Sequence, residues 1–187
     1  MKKLVLGSLL GALVMFVWGA VFWTSPLPYS VMGKIPDEAA AGKALLEHFP
    51  RSGTYLVPSP MQDEKVLTEL SRSGPIATVH IQTRGGEPMS AGVFIFGFLH
   101  ELIAVFLIAL LLSLALPGLP TYGRRLGFVA LAGLASSIYV NGANPIWWHH
   151  PWPFYLVNGV YDFVAWSATG LVLAGMIKPK PASTAGS

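Results

Sequence analysis

Leu4 to Trp23 is an uncharged run of 20 residues that directly follows Lys2 and Lys3. About 20 apolar residues carry a helix across the roughly 30 Å hydrocarbon core of a bilayer. The run therefore predicts a membrane-spanning helix, and the flanking lysines fit a signal anchor. A cleaved leader has a shorter apolar core and a small-residue cut site. Here Val21-Phe22-Trp23-Thr24 is bulky, so retention is expected.

The rest of the chain repeats the pattern. Residues 91–116 form a second apolar run, interrupted by His100 and Glu101. Residues 154–177 form another, interrupted by Asn158 and Asp162. Between them Leu126 to Val140 is only 15 residues, or about 22 Å of helix. It spans only if it continues through Asn141-Gly142-Ala143-Asn144, so residues 126–143 are read as a third, weaker span in the chain's second half. The alternative is a re-entrant element buried against the other helices. Only 11% of the 187 residues are charged, against about 25% in a soluble domain. That excludes an ordinary cytosolic enzyme and a disordered chain. The predicted fold is an all-α bundle of four transmembrane helices with a small α+β insertion between the first two.

Charge sets the expected orientation. Lys2/Lys3, Arg124/Arg125 and Lys178/Lys180 fall on one side of a four-span chain, while Asn141 to Pro153 has no Lys or Arg. Short cytoplasmic loops carry the basic excess, so both termini are expected in the cytoplasm and residues 24–90 outside it. A bacterial inner membrane suits this arrangement. Residues 178–187 read as a short, disordered cytoplasmic tail. The net charge of +3 is too small and scattered for a nucleic-acid surface, which needs a basic patch or stripe. With no cysteine in the chain, disulfides, thiolate metal sites and a lipidated cysteine are excluded.

The insertion reads as helix, strand, helix, strand. Ile35-Pro36-Asp37-Glu38 opens an Ala-rich helix that Pro50 stops. Gly53 to Pro58 reads as a strand. Ser59-Pro60-Met61-Gln62 has the form of a capping box, predicting a helix from there to Ser73 with Gly74 as its C-terminal cap. Ile76 to Gln82 alternates in polarity as a strand does. A strand–helix–strand unit predicts a parallel pair with a right-handed crossover. Two strands and two helices make a poor core without disulfides or metal. The insertion is therefore expected to dock on the bundle, dimerise or meet a protein partner.

Two carboxylates lie inside the spans. Glu101 and Asp162 are expected at matched depth on separate helices, about 12 Å below the outer end. Asn158 precedes Asp162 by one turn on the same face, and Tyr139 and Asn141 approach that level from the third span. His100 adjoins Glu101, but neighbouring helical residues point about 100° apart. Acids are costly in a bilayer and are functional candidates by default. A shared proton, a bound cation or His100 as a cationic partner would each relieve a pair of carboxylates. The structural alternative is a polar lock between helices. Residues 144–155 form the second feature. Trp147, Trp148 and Trp152 make an interfacial aromatic belt in a Pro-rich loop, with His149 and His150 as metal ligands or proton shuttles in the sharper reading.

Other motifs fail. His100-Glu101-Leu102-Ile103-Ala104 begins like a zincin helix, but Ala104 stands where the second His belongs. There is no dinucleotide or phosphate loop and no paired helical His for haem. Gly7-x-x-x-Gly11 and Gly133-x-x-x-Ser137 permit close helix approach. The resulting expectation is a non-enzymatic accessory or scaffold subunit in the lipid bilayer, with a protein partner or as a homo-oligomer. No cofactor is expected, a divalent or transition metal being the exception. The alternatives are a cation-binding or proton-transfer protein using Glu101 and Asp162, and an enzyme acting on lipid or quinone at the outer leaflet.

Overall fold

The structure is a computed structural model that describes residues 1–179. Lys180 and most of the expected tail lie outside the described residues. In chain order the elements are α1 (Lys2–Thr24), α2 (Glu38–His48), β1 (Gly53–Val57), α3 (Glu64–Ser73), β2 (Ala77–Ile81), α4 (Ala91–Ala115), α5 (Tyr122–Trp148) and α6 (Trp152–Met176). Four of them, α1, α4, α5 and α6, are long and apolar enough to cross a membrane, compatible with a multi-pass integral membrane protein. The short α4–α5 and α5–α6 links make those successive helices antiparallel. α1 packs between α4 and α6, and α5 packs against α6.

Small residues set these contacts. Gly7, Gly11 and Gly19 recur at helical spacing along α1 and face its neighbours. A Cβ at Gly7 would lie 3.3 Å from Met176, and one at Gly11 would lie 3.0 Å from Val105 and 3.2 Å from Thr169. The hydroxyl of Thr169 donates to the Gly11 carbonyl at 3.3 Å. On the other side of α6, the Trp166 side chain is seated over Gly133. The small-residue patterns thus serve contacts within the bundle. Val105, Ala109, Leu112, Val129 and Leu173 are fully buried around them.

The third span is longer than the sequence implied. α5 runs 27 residues, or about 40 Å, and continues as helix through Asn144, Pro145 and Trp148. Pro145 removes one backbone donor, yet it sits buried inside the helix. The side-chain amides of Asn141 and Asn144 bond back to the carbonyls of Ser137 and Val140 at 3.1 Å each, holding the last turns. α5 ends at His149, whose φ of 56° is left-handed. Its N–H reaches back to the Asn144 carbonyl, as in glycine-ended helix caps. The loop expected over residues 144–155 therefore shrinks to residues 149–151, since Trp152 already begins α6.

At the opposite end Arg125 is only 6% exposed. Its Nε donates to the Ala174 carbonyl at 3.0 Å, and Nη1 donates to Leu119 and Pro120 at 3.2 and 2.9 Å. A helix leaves its last carbonyls unpaired and slightly negative. Arg125 answers one of them, that of Ala174 on α6, and ties the α4–α5 link to it. From sequence it reads only as a loop charge.

The insertion departs from expectation in two ways. β1 and β2 are antiparallel, with Gly53 opposite Ile81 and Val57 opposite Ala77. The chain between them leaves and returns at the same end of the ribbon. A parallel crossover needs a helix that buries a face on the sheet. A two-stranded ribbon is too narrow to reward that, and no α3 residue is buried. The helix α3 also starts later than Ser59, because Asp63 caps it by accepting from the Lys65 N–H at 3.0 Å. Ser59 instead makes a turn, accepting from Gln62 N–H at 3.2 Å. Asp37 caps α2, one residue outside the helix, and Gly74 ends α3 at φ 69°, as the spacing predicts for that glycine.

Candidate functional site

Glu101 and Asp162 each lie ten residues into their helix. Their surroundings differ. Asp162 faces α5, where its Oδ2 accepts from Asn141 Nδ2 at 2.7 Å. Asn141 also donates to the Ser137 hydroxyl at 3.2 Å. Ser137 in turn donates to the Gly159 carbonyl at 3.3 Å. This chain of bonds joins α5 to α6, in the manner by which polar side chains hold helices together in lipid.

Glu101 faces the junction of α4, α1 and α6. A side-chain carbon at Gly19 would fall 3.2 Å from the Tyr161 hydroxyl and 3.9 Å from Glu101 Oε1. The glycine therefore leaves room for both polar groups beside α1. Glu101 Oε2 is sealed from solvent and has no hydrogen-bond partner. Aromatic rings wall this junction. Tyr161 lies 4.8, 5.9 and 6.3 Å from the ring centroids of Phe22, Trp23 and Trp18. Trp18 Nε1 donates to the Tyr161 carbonyl at 3.1 Å. The sequence reading does not reach Tyr161 or Gly19, and it takes Ser137 only as a small residue paired with Gly133. Gly19 does continue the four-residue stripe of Gly7 and Gly11, and that signal was there to read.

The other expected members fall elsewhere. Asn158 is half-buried one turn before Asp162 but takes no part in these bonds. Tyr139 is 81% exposed, because Ser137 and Asn141 point α5's polar face at α6 and residue 139 then points away. His100 is exposed on the outer face of α4, one residue and about 100° from Glu101.

Trp147, Trp148 and Trp152 project outward around the α5–α6 turn, all exposed. His149 is exposed and His150 half-buried. The imidazole Nδ1 of His150 lies 2.6 Å from the Tyr155 hydroxyl, with the two rings stacked at 5.6 Å. Its Nε2 is enclosed without a partner. The β-ribbon comes down on this turn: Thr78 and His80 share one cavity with Asn144, His149 and His150. His80 is also held at its Nδ1 by the Thr54 hydroxyl, 2.9 Å away. Among the described residues, no three His, Asp or Glu side chains are arranged to hold a metal ion.

No protein-family model, curated protein or solved structure matches the chain.

Proposed function

We propose that the chain is a multi-pass protein of a bacterial inner membrane, acting as a non-enzymatic accessory or scaffold subunit. In this reading both termini are cytoplasmic, and the insertion is offered outside the cytoplasm to a protein partner. One observation carries the reading: neither α2 nor α3 has a buried residue. Leu45, Leu46, Val66 and Leu70 remain 42–50% exposed on them. Apolar faces left open on folded helices are surfaces awaiting cover. The orientation draws on Lys2, Lys3, Arg124 and Lys178, which all attach to the end of the bundle away from the insertion.

Site-specific photocrosslinking in native membranes tests this. A benzophenone side chain at Leu46 or Val66 is expected to give one discrete adduct, at the mass of a partner or of a second copy. The same group at Glu69, on the polar face of α3, is expected to give none. Equal, diffuse labelling from all three positions would refute the reading.

A second reading is favoured by Glu101. A carboxyl oxygen sealed among helices without a partner is costly to keep. Proton or cation binding at the Glu101–Tyr161 junction would account for its retention.

A further inference from the structure

Tyr155 stands between two cavities. One, about 410 Å³, is a groove between α5 and α6 that is open to the side of the bundle and walled by Ile138, Leu156, Val160 and Phe163. The other, about 390 Å³, lies between the β-ribbon and the α5–α6 turn, and His80, His149, His150, Asn144 and Thr78 line it. Tyr155 lines both. We propose that together they form a binding site for one phospholipid, its phosphate headgroup among the three imidazoles and one acyl chain in the α5–α6 groove.

The chemistry of the two halves argues for this occupant. The upper cavity collects hydrogen-bond donors and has no Asp or Glu in its lining, so an anion meets no opposing charge there. His150 has its Nδ1 engaged by Tyr155 and its Nε2 enclosed and unpartnered. Neutral or protonated imidazole can donate to a phosphate oxygen, a bond strengthened by the anion's charge. The lower groove is walled almost entirely by carbon, and Trp152 and Tyr155 at its upper end suit the headgroup level. From Tyr155 to Phe163 α6 rises about 12 Å, close to the half-thickness of a roughly 30 Å hydrocarbon core. An acyl chain from one leaflet thus fits the groove's length while its headgroup reaches the histidines. A free phosphate would leave the groove unused, and a neutral lipid would leave the imidazoles unused. The site rests on α5 and α6 spanning the bilayer and is independent of any partner for the insertion.

The test uses the purified full-length chain in mild detergent, with native mass spectrometry as the readout. Three probes are compared: phosphatidylglycerol, diacylglycerol with the same chains, and inorganic phosphate. One phosphatidylglycerol is expected to remain bound, about tenfold more tightly than diacylglycerol, the scale of a hydrogen bond to a charged group. Excess inorganic phosphate is expected not to displace it. His150→Asn, which keeps a polar group opposite Tyr155 but lacks Nε2, is expected to lose most of the preference between the lipids. Val160→Trp, which fills the groove from an exposed position, is expected to weaken both lipids. Equal binding of the two lipids, full displacement by inorganic phosphate, or an unaffected Val160→Trp variant would each overturn the proposal. Failure of the crosslinking at Leu46 and Val66 would leave it standing, so the two ideas fail separately.

Discussion

Gly133→Ala is expected to pull α5 off α6 and lower stability by about 3 kcal/mol, at the upper end of overpacking costs. The added Cβ would sit 2.3 Å from both Cβ and Cγ of Trp166 and 2.7 Å from Cδ1. These atoms are the root of a large ring and cannot swing aside as the tip of a flexible chain does. Close packing leaves no slack nearby, so the helices themselves must separate. Separation would also stretch the Asn141–Asp162 bond about two turns along α5. Gly127→Ala is the control on the same helix, since nothing lies within 4 Å of a Cβ there. Helix propensity alone should make that change stabilising by up to about 1 kcal/mol. Thermal unfolding in one detergent reads both variants. A Gly133→Ala protein as stable as Gly127→Ala would show that Trp166 does not fill the space the structure gives it.

The two acids within the long apolar helices should respond to leucine with opposite signs. Asp162 is an acceptor in a bonded chain that links α5 to α6. Asp162→Leu removes that acceptor and is expected to cost about 1–2 kcal/mol, the range for hydrogen bonds between helices and to charged groups. Asp162→Asn keeps an acceptor and should lose less. Glu101 contributes no such bond through Oε2. Relieving an unsatisfied buried polar atom is worth about 1–3 kcal/mol, so Glu101→Leu is expected to raise stability, with Glu101→Gln between the two. If both leucine variants are destabilised alike, Glu101 holds helices together as Asp162 does, and the contrast drawn from their surroundings is wrong. A stabilised Glu101→Leu protein that has lost its role in the cell would favour proton or cation binding, because groups kept against stability are characteristic of functional sites.

The sequence makes these acids look like twins, and the reason lies in what a helix pattern encodes. Position along a helix follows from counting residues, so matched depth could be read for Glu101 and Asp162. Facing depends on which neighbour packs on which side, and no single helix carries that information. Tyr161 and Asp162 are adjacent, yet one meets α1 and the other α5. Tyr139 points away from the cluster for the same cause. Span lengths are legible in α1, whose apolar run is unbroken, and in α4 and α6, whose runs reach spanning length despite two polar residues each. They are less so in α5, where Asn141, Asn144 and Pro145 look like a loop and are instead held in helix by side-chain amides bonding back one turn. The antiparallel ribbon was misjudged because the connection length allows either direction. What decides it is whether α3 has a sheet face to bury against, and two strands provide too little. The small-residue stripe was visible in the sequence, but only coordinates show Trp166 and Thr169 filling it.

The central claim is that the chain crosses the membrane four times, with the insertion on one side and the α4–α5 link on the other. Because the chain has no cysteine, single cysteines report position without background. Ser73 and Gly118 are both exposed in the structure, one on the insertion and one on the link. A membrane-impermeant maleimide applied to intact spheroplasts is predicted to label Ser73→Cys fully and Gly118→Cys only after lysis. Labelling of both from outside, or of Gly118→Cys alone, would contradict the arrangement on which the proposed partner surface depends.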